Sequence, residues 1–130
     1  MEGKKVYDLF ENGTLKLPEG EKTFADIPWT AHAAFDGVEL KHIVTSADSG
    51  GAFSFHLIRV APGKKIGEHS HDVQTETHEV ICGGGTCING DGEYAVVPGD
   101  VTIFRPKVPH QVLAGEEGIM VFAKFFPALL

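Results

Sequence analysis

Gly63-Lys64-Lys65-Ile66-Gly67-Glu68-His69-Ser70-His71-Asp72-Val73-Gln74-Thr75-Glu76 is the stretch on which the fold and the chemistry of this chain turn. If residues 66–71 are extended, side chains alternate between faces, so His69 and His71 point the same way and Ser70 points opposite. Two imidazoles on one face can share one cation. Glu76 can add an oxygen ligand once the chain has turned through Asp72–Thr75 and begun the next strand. An H-x-H pattern is common on solvated strands, so its meaning depends on what surrounds it.

Pro62-Gly63 turns the chain into this strand. Before it, Phe53–Val60 is rich in aromatic and β-branched residues and predicts a strand, as does Val38–Thr45. After it, Thr77–Cys82 and Thr86–Asn89 predict a hairpin across Gly83-Gly84-Gly85, and Asn89-Gly90-Asp91-Gly92 marks the next turn. Glu93–Val97, Val101–Phe104, His110–Ala114 and Ile119–Phe126 complete the set, separated by Pro98-Gly99-Asp100, Pro106, Pro109 and Glu116-Glu117-Gly118. About ten short strands at spacings of roughly 8–12 residues predict an all-β sandwich or barrel.

Toward the N-terminus, Lys4–Phe10 reads as an edge strand and Asn12-Gly13 as a turn, and Thr14–Leu17 alternates briefly. Residues 18–37 read as irregular, with Pro18 and Pro28 blocking any helical stripe. Phe24–Trp29 is apolar enough to pack on a sheet or a partner. No helix of three turns, internal repeat or linker is visible. The expectation is a single domain over 1–130, with an N-terminal arm carrying edge strands over 1–37 and a barrel core over 38–126.

In the 130-residue chain, 42% of residues are apolar and 22% charged, as in globular domains. A net charge of −7 without any basic run argues against nucleic acid or an anionic membrane surface as partner. No apolar stretch approaches the ~20 residues that span a bilayer, and Met1-Glu2-Gly3-Lys4-Lys5 lacks a signal-peptide core, so a cytoplasmic location is expected. The predicted hairpin would place Cys82 near Cys87 across the glycines. In a reducing cytosol two small buried thiols are the preferred reading over a disulfide.

Downstream, Pro98-Gly99-Asp100 begins a strand, Phe104-Arg105-Pro106 ends it, and Pro109-His110 opens the next. Together with the first stretch this resembles the cupin family. The cupin first motif, G-x5-H-x-H-x4-E-x6-G, is met at every position by Gly63, His69, His71, Glu76 and Gly83. The second, G-x5-P-x-G-x2-H-x3-N, is met in part: five residues lie between Gly92 and Pro98, and His110 ends it. Arg105-Pro106-Lys107-Val108-Pro109 replaces the usual turn, and Ala114 stands where the asparagine would be; these departures affect turn residues, not a ligand. The resemblance covers roughly residues 53–126. It implies a double-stranded β-helix, a small jelly-roll barrel, holding one divalent transition metal ion through His69, His71, Glu76 and His110. Imidazole nitrogens with one carboxylate suit Fe, Mn, Ni, Zn or Cu better than calcium or magnesium.

His78 lies two residues after Glu76 and so faces the proposed metal, as a general acid or base, as a partner of a ligand, or as a histidine hydrogen-bonded in the barrel wall. His56 and Arg59 have opposite parity, so only one can face inward, and Arg59 reads as a surface residue. Gln74 reads as exposed; His32 and His42 lie outside the motifs and read as ordinary. Two functions compete. One is a metal-dependent enzyme of dioxygenase, lyase or isomerase type acting on a small oxygenated metabolite; the other is a non-catalytic module that binds or senses a small molecule. A homodimer is expected, through Phe122-Ala123-Lys124-Phe125-Phe126-Pro127 and the N-terminal arm.

Overall fold

Two long strands carry the architecture. The computed structural model describes residues 1–130; its elements in chain order are α1 (Lys4–Glu11), β1 (Thr14–Leu17), β2 (Gly20–Thr23), a 3-10 turn (Phe24–Asp26), β3 (Thr30–Ala31), β4 (Val38–Val44), α2 (Ser46–Ser49), β5 (Ser54–Val60), β6 (Lys65–His69), β7 (Thr75–Asn89), β8 (Gly92–Val96), β9 (Val101–Phe104) and β10 (His110–Phe126). β7 and β10 pair antiparallel from His110 opposite Asn89 to Phe126 opposite Thr75. On its other edge β10 meets β6 with its first half and β5 with its second. β7 meets β9 and then β8 in the same manner. With β4 and β3 beyond β5, the eight strands form one antiparallel sheet that folds over on itself. The fold is the all-β jelly roll that the sequence leads one to expect.

The fold-over is built into the β7–β10 ladder. Register shifts fall at Ala114/Ile119 and at Met120/Val121. The triple glycine sits where the two backbones press together: a Cβ on Gly83 would lie 2.1 Å from the Gly118 carbonyl oxygen, and one on Gly85 2.0 Å from that of Leu113. β7 therefore runs straight through Gly83–Gly85, and the hairpin expected there is one continuous strand. The turn expected at Glu116–Gly118 is an outward bulge within β10. Glycine serves here as a residue without a side chain where strands cross.

The second shift leaves Ile81 without a partner and reverses the alternation, so Val80 belongs to the inner apolar cluster and Cys82 to the outer one. Cys87 packs in the inner cluster, so the two buried thiols lie in separate cores rather than across a turn. The inner cluster, with Ile58, Val60, Phe104, Val112 and Phe125, fills the barrel beside the site. The outer cluster, with Ile43, Leu57 and Phe122, lies under the N-terminal segment.

That segment corrects two expectations. Residues 4–11 form α1 rather than an edge strand. Tyr7 and Phe10, three apart, share a helical face that a strand would split; their rings lie 5.9 and 4.7 Å from that of Phe122. The Tyr7 hydroxyl donates to the Ile58 carbonyl at 2.8 Å. Residues 18–37 are not wholly irregular: β2 closes a hairpin on β1, and β3 extends the sheet. Trp29 packs on the outer sheet face, with the Arg59 guanidinium 3.9 Å over its ring and its Nε1–H donating to Glu11. Phe122 and Phe125 are buried within the chain; of the C-terminal phenylalanines expected at a dimer contact, only Phe126 is exposed. No helix is long and apolar enough to cross a membrane.

Gly83→Ala forces a methyl against a backbone carbonyl at a residue with φ of +74°. We expect it to lower unfolding free energy by roughly 2–4 kcal/mol in chemical denaturation. A loss below ~0.5 kcal/mol, the range of an ordinary surface change, would contradict the crossing described.

Candidate metal centre

The jelly roll folds the two ends of one ladder onto each other. Glu76 pairs with Phe125 near one end of the β7–β10 ladder and His110 with Asn89 at the other, yet His110 Nε2 lies 3.1 Å from Glu76 Oε1. His69 comes alongside because β6 pairs with the start of β10, setting His69 opposite His110. β6 ends at His69, so His71 belongs to the following loop rather than to the same strand. Its position is fixed from outside the strand: the Lys107 N–H donates to the His71 carbonyl at 2.7 Å. Lys107 has φ of +68°, a left-handed conformation that is strained for a side-chain-bearing residue.

The orientation of each ring follows from its backbone partner. His69 Nδ1 donates to the Gly67 carbonyl at 2.8 Å and His110 Nδ1 to the Val108 carbonyl at 3.0 Å. In the neutral rings the proton sits on Nδ1, and Nε2 offers its lone pair to the centre. His71 Nε2, 3.4 Å from Glu76 Oε1, is buried with no hydrogen-bond partner. His78 Nε2 lies 2.7 Å from Glu76 Oε2 and donates to it, leaving Oε1 turned toward the other three histidines. Lone pairs on His110 Nε2 and Glu76 Oε1 face each other, which is favourable only with a positive charge shared among them.

The electrostatics agree. Burial by itself would raise the Glu76 carboxyl, but attraction to the His78 ring overcomes it and holds the group well below the usual carboxylate range. Burial holds the His69 imidazole below its ordinary value, in the neutral form a metal requires. The ligating atoms of His69, His71, Glu76 and His110 all lie within 4.8 Å of one another, and the four could hold one metal ion. A charged oxygen and three converging imidazole nitrogens, one of them buried and orphaned, fit a divalent transition ion.

His69, His71 and Glu76 floor a cavity of about 70 Å³ whose remaining wall is Val38, Leu40, Ile58, Ile66, Phe125, Leu129, His32 and the ring of His78. A larger, shallow groove of about 390 Å³ between β8 and β9 holds no ligating cluster and plays no part in the centre. His32 and Leu129 arrive from β3's end and from the C-terminal tail, where no sequence motif marks them. The tail is tied down by Ala128 N–H to the Gly51 carbonyl at 3.1 Å and Leu129 N–H to Ser54 Oγ at 3.0 Å.

Of the pair with opposite parity, His56 faces inward and is fully buried, while Arg59 lies on the outer face with Trp29. Gln74 is half-buried rather than exposed, its side-chain amide reaching the Ala128 carbonyl. His56 Nε2 meets Ser54 Oγ and its Nδ1 meets His42 Nδ1, each at 2.8 Å. Burial pushes His56 down from 6.5 to about 4, with the neighbouring His42 adding to the shift. Below pH 6.5 the unfolded chain therefore binds a proton that the folded chain refuses, and stability falls with falling pH until about pH 4. From pH 7 to pH 5 the expected loss from His56 is about 2 kcal/mol. Urea denaturation should show a shallower slope over that interval for His56→Gln; an unchanged slope would rule out His56 as its source.

The family model described as "Cupin domain" matches residues 56–125. No match was found among curated proteins. Among solved structures, KdgF from Halomonas sp. superposes with a TM-score of 0.69 at 16% identity, over 79% of this chain and 90% of its own. A predicted oxalate decarboxylase from Thermotoga maritima gives 0.69 at 20% identity, over 81% and 96%. An RmlC-like cupin from Shewanella frigidimarina gives 0.70 at 15%, over 83% and 90%. At these identities the likeness speaks to the fold.

Proposed function

Since this chain belongs to the cupin domain family, matched over residues 56–125, we propose that it binds one divalent transition metal ion through His69, His71, Glu76 and His110. We propose further that it is a metal-dependent enzyme acting on a small oxygenated metabolite. The observation that carries the reading is the convergence of three imidazoles on one buried carboxylate, with one buried ring nitrogen left without a partner. Four protein ligands leave one or two positions on a five- or six-coordinate ion for a small molecule. A bound ion supplies Lewis-acid or redox chemistry there, and Fe, Mn, Ni, Zn and Cu all accept this donor set.

The chain's own residues do the rest. The Gly67 and Val108 carbonyls fix the two ligating rings. His78 orients Glu76 through Oε2 and is the group placed to hold a proton beside the substrate. Apolar side chains keep bulk water from the bound molecule. Reaction of lyase type finds support in a neighbour named as a predicted oxalate decarboxylase, a small-acid enzyme with the same fold; dioxygenase and isomerase chemistry use the same open positions. A cytoplasmic setting is part of the reading, supported by two cysteines that stay free. So is a homodimer, supported by exposed Val6, Leu9, Phe10 and Phe126.

Elemental analysis of purified protein should find close to one transition-metal ion per chain, lost in the His69→Ala/His71→Ala double variant. Unchanged metal content in that variant would remove the assignment. His78→Leu should retain the fold by circular dichroism and weaken metal affinity about 10–100-fold; an affinity within twofold of wild type would strip His78 of its orienting role. Turnover of small hydroxy- and oxo-acids should vanish on chelation and return with metal. Light scattering that finds only the 14.0 kDa monomer at every concentration would refute the dimer.

A further inference from the structure

The cavity above the four-residue cluster is lined by 11 residues, and neither lysine nor arginine is among them. Its floor carries one carboxylate, so a divalent ion held there leaves a single positive charge to balance one anionic oxygen. Beyond the cluster and His78, which is bonded to Glu76, the wall is apolar except for one residue. His32, at the end of β3, lines the same cavity and has its ring nitrogens in unequal roles.

His32 Nδ1 accepts from two backbone donors, the N–H of Ala34 at 3.0 Å and of Phe35 at 3.3 Å. A proton on Nδ1 would face both donors, so the neutral ring carries its hydrogen on Nε2. Burial lowers the imidazole further from its charged form. The ring is stacked on Phe35, centroids 4.6 Å apart, and Phe35 in turn sits 5.9 Å from His69. Phe35 is itself held close to β6: a Cβ on Gly67 would lie 2.7 Å from its ring. His32 is thus a donor of fixed tautomer and fixed plane, and its Nε2–H has no partner within the chain.

We propose that His32 is a substrate-binding residue, its Nε2–H donating to a neutral oxygen at the far end of a small molecule whose near oxygen ligates the metal. This rests on the metal-binding reading and deepens it by naming the substrate class: a small, largely apolar monoanion with a second, uncharged acceptor such as a carbonyl or hydroxyl. The cavity has no lysine or arginine to meet the second charge of a dianion. Leu40, Ile58 and Leu129 contact the body between the two ends.

The test uses the full-length chain loaded with Co(II), whose visible absorption responds to ligands entering its coordination shell. Titration with 4-oxopentanoate and 5-oxohexanoate is compared with 4-methylpentanoate, which has the shape of the first but no second acceptor. We expect at least one oxo-acid to bind wild type about fivefold more tightly than the methyl analogue, the size of one net hydrogen bond. His32→Asn keeps an oxygen for the Ala34 and Phe35 N–H groups and removes the far N–H. It should take up Co(II) as wild type does and lose the preference. A preference that survives in His32→Asn, or no preference in wild type despite normal Co(II) uptake, overturns the role of His32 alone. Failure of wild type to take up Co(II) overturns the metal reading and the role of His32 with it.

Discussion

A buried carboxylate cannot be left alone in a protein interior. Glu76 is 3% exposed, and the cost of removing its charge from water runs to several kcal/mol unless positive or donor groups surround it. Here His78 donates to it from its own strand, while the rings of His110, from the far end of the central ladder, and His71, from a loop, are placed to share a cation with it. Asn89, which pairs with His110, lies thirteen positions beyond Glu76; along a straight strand that is about 40 Å. The sheet must therefore fold double for the charge to be satisfied, and the glycine crossing and the bulge in β10 are the means. Fold and centre answer the same electrostatic demand.

The two apolar clusters divide the remaining work. The inner one gives the barrel its filling and the centre its dry walls, while the outer one fastens α1 and the Trp29 segment to the back of the sheet. Lys41 illustrates the fastening: nearly fully buried, its ammonium donates to the carbonyls of Glu11 and Phe24, so a charge is held by backbone oxygens from two parts of the N-terminal segment. That segment reaches the centre just after β3, where His32 lines the cavity and the Phe35 ring lies 5.9 Å from that of His69.

Much of this was legible in the residues. The H-x-H, the later carboxylate and the third histidine are marked by spacing, and the strands β4, β5, β8 and β9 are marked by composition and by the turns between them. The errors have one cause. Gly83-Gly84-Gly85 and Glu116-Glu117-Gly118 carry turn chemistry, and local sequence cannot distinguish a glycine that bends the chain from one that lets another backbone pass at van der Waals distance. Residues 4–11 are short and apolar enough for either period; their helix is decided by Phe122, more than a hundred positions away. His32 and Leu129 were invisible as cavity residues for the same reason, since a tertiary neighbour leaves no mark beside it in the chain. His56 is a milder case: parity and the surface reading of Arg59 point it inward, but nothing local marks its bonds to Ser54 and His42.

The hydrogen bond from Lys107 to the His71 carbonyl has a temporal side. His69, His71 and Glu76 lie within eight consecutive residues, whereas His110 is 34 positions beyond Glu76 and reaches it only when β10 has paired with β6 and β7. The loop bond forms at that same moment, because Lys107 leads directly into β10. A complete set of four donors therefore exists only in chains whose long-range β6–β10 pairing has closed, part of the slow, non-local work of β-protein folding. A metal ion held by all four, as proposed, would discriminate finished molecules from unfinished ones, and mass action would then draw the population toward the finished state.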